Sequence, residues 1–212
     1  MPFDKKTVDS AVKAALAEGK GKRKFKQSVD VAVNFKDLDF KKAENRVNLD
    51  VVLPFATGGK KIAVFADGQG ALEAKAIADL VISGADIPSY ASDKVKQASL
   101  LDYILLATPA LMPTVAKLLG QFLGTKGKMP KPILPNANLK QLAEQVKNSV
   151  SLKSKGKFLP VVHCAVGTED MPEEQLAENV FTIVDAVRNK VSEPKIASVY
   201  VKTTMGKPAK IA

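Results

Sequence analysis

The run Lys60-Lys61-Ile62-Ala63-Val64-Phe65-Ala66 is almost continuously apolar after its two lysines, with no alternation. A strand that reads this way is buried on both faces, which requires helices above and below a mostly parallel sheet. The next eighty residues fit that demand. The turn Asp67-Gly68-Gln69-Gly70 opens a helix through Ala71, Leu72 and Glu73 towards Gly84. A helix around Ser92–Ser99, an apolar strand Tyr103–Ala107 and a helix Met112–Leu123 come next. A loop rich in Gly, Pro and Lys spans Gly124–Pro135, and a helix is expected over Leu139–Val150. Strands alternating with helices predict a small, open, Rossmann-like α/β domain.

The flanks are written differently. A helix is expected over residues 4 to 18, with Asp4 as N-cap, Val8, Val12 and Leu16 on one stripe and Gly19 as its stop. Gln27–Phe35 then alternates cleanly, with Val29, Val31, Val33 and Phe35 on one side, and Val47, Leu49, Val51 and Leu53 form a second such set. Beyond Lys153-Ser154-Lys155-Gly156 the style returns: a strand over Phe158–Val166, a helix from Pro172 to about Val191, and a closing strand through Ile196–Val201. In that last strand Ile196, Ser198 and Tyr200 alternate with Ala197, Val199 and Val201. Neither flank, at under about 60 residues, buries enough surface to be comfortable alone. Together they predict a split two-layer α/β domain, residues 1–58 plus 156–212, interrupted by the inserted α/β domain, residues 59–155. The two crossings, marked by Gly58, Gly59 and Gly156, would form a two-stranded hinge.

A net charge of +10 points to a polyanionic partner. No stretch approaches the roughly 18 apolar residues of a membrane span, and the first residues lack a signal peptide's apolar core; no membrane association is expected. One cysteine, Cys164, and one histidine, His163, cannot make a zinc finger or an intrachain disulfide, so no metal is expected and a reducing cytoplasm fits.

Five of the seven residues Lys20–Lys26 are basic, and the run leads straight into a strand. Within Lys22-Arg23-Lys24-Phe25-Lys26-Gln27-Ser28, lysines can hold phosphates while Gln27 and Ser28 reach sugar or base edges. Phe25 either stacks on a base or continues the inward phase of Val29 and Val31; the lysines either contact RNA or line a solvated loop. The closing strand ends in Lys202-Thr203-Thr204-Met205-Gly206-Lys207-Pro208. Two hydroxyls, an adaptable thioether and a glycine that admits close backbone approach suit an RNA surface, although a frayed strand end would also read this way. Asp67–Gly70 stands where phosphates bind in doubly wound folds, yet it lacks both the G-x-G-x-x-G spacing and a Walker lysine, and a tight turn explains it. The Gly120–Pro132 segment is open to a structural or a functional role. His163-Cys164 has no acidic partner in sequence reach, so no catalytic residues are assigned and no cofactor is expected.

Lys24-Phe25 followed by Ser28-Val29, the Gly124…Gly127-Lys128-Met129-Pro130 loop and the terminal Ser198–Gly206 together resemble the ribosomal protein L-one family, archaeal type. The likeness spans nearly the whole chain, and Thr-Met-Gly is its most specific part. Thr125-Lys126 stands where many relatives have Pro-Arg, and Lys207 separates Gly206 from Pro208. The resemblance implies a structural protein of the mobile stalk of the large ribosomal subunit, cytoplasmic and not an enzyme, gripping rRNA through Phe25 and its neighbours and through Thr203, Thr204, Met205 and Gly206. It further implies contact with the exit-site tRNA, help in releasing deacylated tRNA, and repression of its own mRNA, with a monomer off the ribosome. Lys22, Lys24, Lys26, Arg46, Lys202 and Lys207 would add salt-sensitive affinity. Two rival classes are an α/β nucleotide-binding enzyme and a nonspecific basic binder of nucleic acid or anionic surfaces.

Overall fold

The computed structural model describes residues 4–38, 40, 42, 45–133, 139–154, 159–191 and 193–211. It divides into two compact units, Met1–Gly58 with Asn148–Ala212, and Gly59–Lys147.

In the first unit, helix α1 (Lys5–Gly19) buries Val8, Ala11, Val12, Ala15 and Leu16 along one stripe. Strand β1 (Ser28–Phe35) alternates without a break, with Val29, Val31, Val33 and Phe35 all inward. Strand β2 (Asn48–Val52) follows. After the intervening unit come β7 (Ser149–Lys153), β8 (Val161–Thr168), α7 (Glu173–Lys190), β9 (Ile196–Thr203) and the short β10 (Ala209–Lys210). Helix α7 places Glu173 and Glu174 in its first turn and Arg188 and Lys190 in its last, each against the opposite end of the helix dipole. The main sheet runs β10-β9-β1-β8 and all its pairings are antiparallel. Core residues of α1 and α7 pack with the inward residues of the sheet in a single cluster.

Two details depart from simple alternation. A bulge shifts the β1–β9 register between Asn34 and Phe35, so Ile196 turns inward with Val199 and Val201 instead of staying with Ser198 and Tyr200. The return crossing lies at Lys147/Asn148, not near Gly156. Ser149–Lys153, expected to begin as the tail of a helix, pairs instead with β2, from Val52↔Ser149 to Asn48↔Lys153. Its Val150 and Leu152 alternate inward, a strand pattern the helical reading overran. Gly156 falls outside the described residues, while Gly58 and Gly59 have φ of 74° and 71° and take the left-handed backbone a side chain would oppose.

The second unit has a parallel sheet ordered β4-β3-β5-β6, built from β3 (Lys61–Phe65), β4 (Leu80–Ile82), β5 (Tyr103–Ala107) and β6 (Lys131–Pro132). Helices α2 (Gly68–Lys75), α3 (Ile87–Ser92), α4 (Lys94–Ser99), α5 (Met112–Thr125) and α6 (Leu139–Asn148) accompany it. The apolar run in β3 divides between two cores. Ala63 and Phe65 join Ile87, Leu119 and Leu123, while Ile62 and Val64 join Ala74, Ala143 and Val146 on the other side.

One buried polar residue ties the outgoing chain to the first unit. Asn179 on α7 is fully buried; its Oδ1 accepts from Phe55 N at 3.1 Å and its Nδ2 donates to Phe55 O at 3.1 Å and Val166 O at 2.9 Å. Asn179→Ala leaves these backbone groups without partners and is expected to cost about 1–3 kcal/mol of stability. Urea denaturation monitored by circular dichroism checks this; an unchanged midpoint would show that the clamp contributes nothing.

Candidate nucleic-acid interface

Because β9 pairs with β1 in antiparallel register, the start of one strand meets the end of the other, with Val29 opposite Thr203. One residue further out, Thr204 N donates to Ser28 O at 3.0 Å and Ser28 N donates to Thr204 Oγ1 at 3.1 Å. The threonine hydroxyl thus takes the place of a carbonyl and extends the ladder by one step. Thr204 Oγ1 also lies 3.0 Å from Ser28 Oγ and 3.3 Å from Ser28 O. The Thr204 hydroxyl is therefore not a free group awaiting a ligand. It holds an exposed pair of hydroxyls in fixed positions.

Two residues expected at the surface lie beneath it. Gln27 is only 1% exposed. Its Nε2 donates to Gly19 O at 2.6 Å and Glu169 Oε2 at 3.2 Å, and its Oε1 accepts from Met205 N at 3.0 Å. One amide thus joins the end of α1, the turn after β8 and the turn after β9. Thr203 is fully buried, and its hydroxyl sits between Gly19 and Gly206, where a Cβ on either glycine would collide with it. Thr203 packs and Gln27 braces, so neither side chain is presented outward. Gly206 N donates to Thr203 O at 3.1 Å, which closes the turn. Met205 stands 57% exposed on that turn, and Phe25 is 50% exposed on the loop before β1. Phe25 leaves the inward phase because the strand begins only at Ser28.

The outward face of the sheet is a candidate surface that residue types alone do not single out. Ser28, Asp30, Ala32 and Asn34 of β1 stand beside Ser198, Tyr200 and Lys202 of β9 and His163 of β8, all partly or fully exposed. Asn34 Nδ2 donates to Ser198 Oγ at 2.9 Å, and Ser28 Oγ donates to Asp30 Oδ2 at 3.4 Å. Partial burial raises the Asp30 pKa above the ordinary carboxylate value, opposed by the Ser28 hydrogen bond and by the Lys202 and His163 charges. The alternation in β1 and β9 contains this face; the adjacency of the strands does not follow from it.

The expected cations divide into two groups. Lys22, Lys24, Lys26, Lys202 and Lys207 belong to the segments that meet around Ser28 and Thr204. Lys26 Nζ pairs with Asp170 Oδ2 at 2.8 Å, and that hydrogen bond and charge raise its pKa. Lys207 Nζ lies 3.8 Å from Glu18 Oε1. Arg46 is not with them. With Lys190 and Lys195 it lines a small cavity of about 70 Å³ near the far end of β1, where Lys36 N donates to Lys195 O at 2.9 Å. An eight-residue strand separates the two places by roughly 25 Å.

The inserted unit offers no phosphate cradle at its β3–α2 turn. Asp67, at the head of α2, makes no capping hydrogen bond to that helix; its Oδ1 accepts from Gly84 N at 2.8 Å, and a carboxylate beside the helix N-terminus disfavours an incoming phosphate. In the lysine-rich loop, Gly127 has φ 65°, its N donates to Gly124 O at 3.0 Å, and Lys128 N donates to Leu123 O at 2.9 Å. This is a helix-terminating Schellman motif, so the glycine is accounted for structurally. Among the described residues there is no group of three His, Cys, Asp or Glu that could hold a metal, and no helix long and apolar enough to cross a membrane.

A preordered surface of hydroxyls, backbone groups and surrounding cations suits an RNA-binding protein. Comparison with known proteins narrows the class. The model of the ribosomal protein L1p/L10e family matches residues 10–207. The chain is 44% identical to the large ribosomal subunit protein uL1 of Pyrococcus abyssi, covering all of this chain and 98% of that protein. It is 43% identical to the protein of that name from Thermococcus kodakarensis, over 100% and 99% of the two, and 41% to that of Thermofilum pendens, over 97% and 93%. The chain belongs to this family, whose members are structural proteins of the ribosome and not enzymes.

The raised Asp30 pKa has a definite consequence. A carboxyl that binds its proton more tightly folded than unfolded makes the fold less stable as pH rises between the two pKa values. Asp30→Asn is therefore expected to raise the thermal midpoint at pH 7, with the gain disappearing below the unfolded carboxylate pKa of about 4. Melting curves across pH 3–8 check the sign; a midpoint lowered at pH 7 would contradict it.

Proposed function

We propose that this chain is a cytoplasmic component of the large ribosomal subunit, where its discontinuous unit grips an irregular segment of rRNA at the mobile stalk. The observation that carries this reading is the Ser28–Thr204 hydroxyl pair, fixed by the backbone at the edge of a polar sheet face. Rigid hydroxyls and exposed backbone suit ribose and phosphate oxygens, and Met205 and Phe25 supply surfaces on which a base or sugar can rest. The lysines around them add attraction that weakens with salt. The names of the similar archaeal proteins support the same partner.

Exit-site tRNA is assigned to the second cationic place. Arg46, Lys190 and Lys195 are too far from Ser28 to touch the same few nucleotides, so one chain can hold rRNA at one end and the tRNA backbone at the other. Movement of the rRNA stalk that the discontinuous unit grips would carry a tRNA bound at the unit's other end away from the subunit and help release it once deacylated. Off the ribosome the chain is a monomer, and its strand-end surface represses its own mRNA by binding an RNA segment that imitates the rRNA site.

Residues 1–58 joined through a short Gly/Ser linker to residues 148–212 should fold and retain preference for a large-subunit rRNA fragment over bulk tRNA. The insert alone, residues 59–147, should bind weakly and lose that binding steeply with salt. Gel-shift titrations at matched ionic strength decide it, and specific binding by the insert alone would overturn the assignment.

Thr204→Val removes an acceptor from Ser28 N and is expected to cost about 0.5–1.5 kcal/mol of stability together with a clear loss of rRNA affinity. Thr204→Ser should restore both. Equal rRNA affinity in all three proteins would remove Thr204 from the interface.

A further inference from the structure

Beside Met205 lies a cavity of about 210 Å³ walled by Glu18, Gly19, Lys22, Arg23, Gln27 and Met205. Glu18 and Arg23 in its wall have no part in the contacts assigned above to the Ser28–Thr204 surface. Its floor is neutral: the Gln27 amide is committed to Gly19 O and Met205 N, and Gly19 contributes bare backbone. Glu18 brings a carboxylate to the wall, with Lys207 Nζ 3.8 Å away. A phosphate inside the cavity would meet Lys22 and Arg23 but also the Glu18 carboxylate, which it cannot satisfy, and an apolar side chain would bury three charged groups without partners. A nucleobase suits every wall. Its flat face can lie against a thioether and a guanidinium, and its edge can offer N–H groups to a carboxylate.

The geometry points to a pocket for one unstacked base of the bound RNA, and the carboxylate selects guanine. Only guanine presents a ring N–H and an exocyclic amine side by side, matching the two oxygens of Glu18. Met205 and Arg23 flank the ring, and Lys22 takes the adjoining phosphate. This rests on the proposed rRNA-binding function, because the base must come from the RNA held by Ser28 and Thr204. It assigns to Glu18 and Arg23 a role in sequence preference.

The test uses the full chain with a large-subunit rRNA stalk fragment, probing unpaired guanines with kethoxal and the backbone with hydroxyl radicals. One unpaired guanine should become protected in the wild-type complex. Glu18→Gln should lose that protection and about tenfold in affinity while keeping the backbone footprint, and replacing the protected guanosine with inosine should weaken wild-type binding by a similar factor. Met205→Leu, which keeps the bulk of the wall, should retain the protection. A backbone footprint with no protected guanine, or full protection and affinity in Glu18→Gln, would overturn the pocket. Absence of the backbone footprint itself would instead overturn the rRNA-binding function, and the pocket with it.

Discussion

Everything in the discontinuous unit depends on β1 being paired on both sides by strands from the far end of the chain. Its partners β8 and β9 both come after the inserted unit. The fold forms only if the chain leaves and returns at adjoining points, and the β2–β7 ladder ensures that. Val52 opposes Ser149, and Leu53 N donates to Asn148 O at 3.1 Å. Loop-closure entropy grows only slowly with loop length, so a self-contained insert adds little cost once those ends are joined. Two separate apolar cores give the insert its own reason to fold.

The same pairing makes the candidate interface. Ser28 and Thr204 are 176 positions apart in sequence, yet they exchange hydrogen bonds through backbone and hydroxyl. The layer beneath them is fixed by close packing. Gly19 and Gly206 must both lack a Cβ for Thr203 to sit between them, and Gln27 spans the remaining gap between three turns. A surface held this way loses little freedom when RNA arrives, so less of the binding energy is consumed by ordering.

The sequence carried the architecture because period and burial agree. Val29, Val31, Val33 and Phe35 alternate inward as their spacing demands, and the unbroken run Ile62–Phe65 is buried on both faces. It misled wherever a long-range partner decided the outcome. Ser149–Lys153 continues from a helix without a break and becomes a strand only because β2 is there to receive it. Ile196 turns inward through a bulge that no local pattern announces. In the candidate site the segments that the fold brings together were legible from residue types, but the placement of the side chains within them was not. Whether Thr203 or Thr204 faces outward depends on strand register, and the acids Glu18, Glu169 and Asp170 enter only through the fold. Arg46 shares the basic character of Lys22 and Lys24, and position alone removes it from their neighbourhood.

Those acids alter what a net charge of +10 means for binding. Lys26 is held by Asp170, Lys207 by Glu18 and Lys5 by Glu178 at 4.0 Å, all in exposed pairs. Such pairs are individually weak in water and screened by salt, so exchanging a carboxylate for a phosphate gains little. The carboxylate also remains beside the incoming RNA and repels it. The lysines therefore act chiefly through the summed field, which draws any polyanion and distinguishes none of them. In the proposed interface, discrimination is therefore assigned to groups that are neutral and fixed: the Ser28 and Thr204 hydroxyls, the Met205–Gly206 backbone and the polar face behind them. Against that background a carboxylate facing RNA is useful only if it meets N–H or O–H donors. Asp30 and Glu18, which a purely electrostatic surface would exclude, are consistent with an interface selective for particular RNA groups.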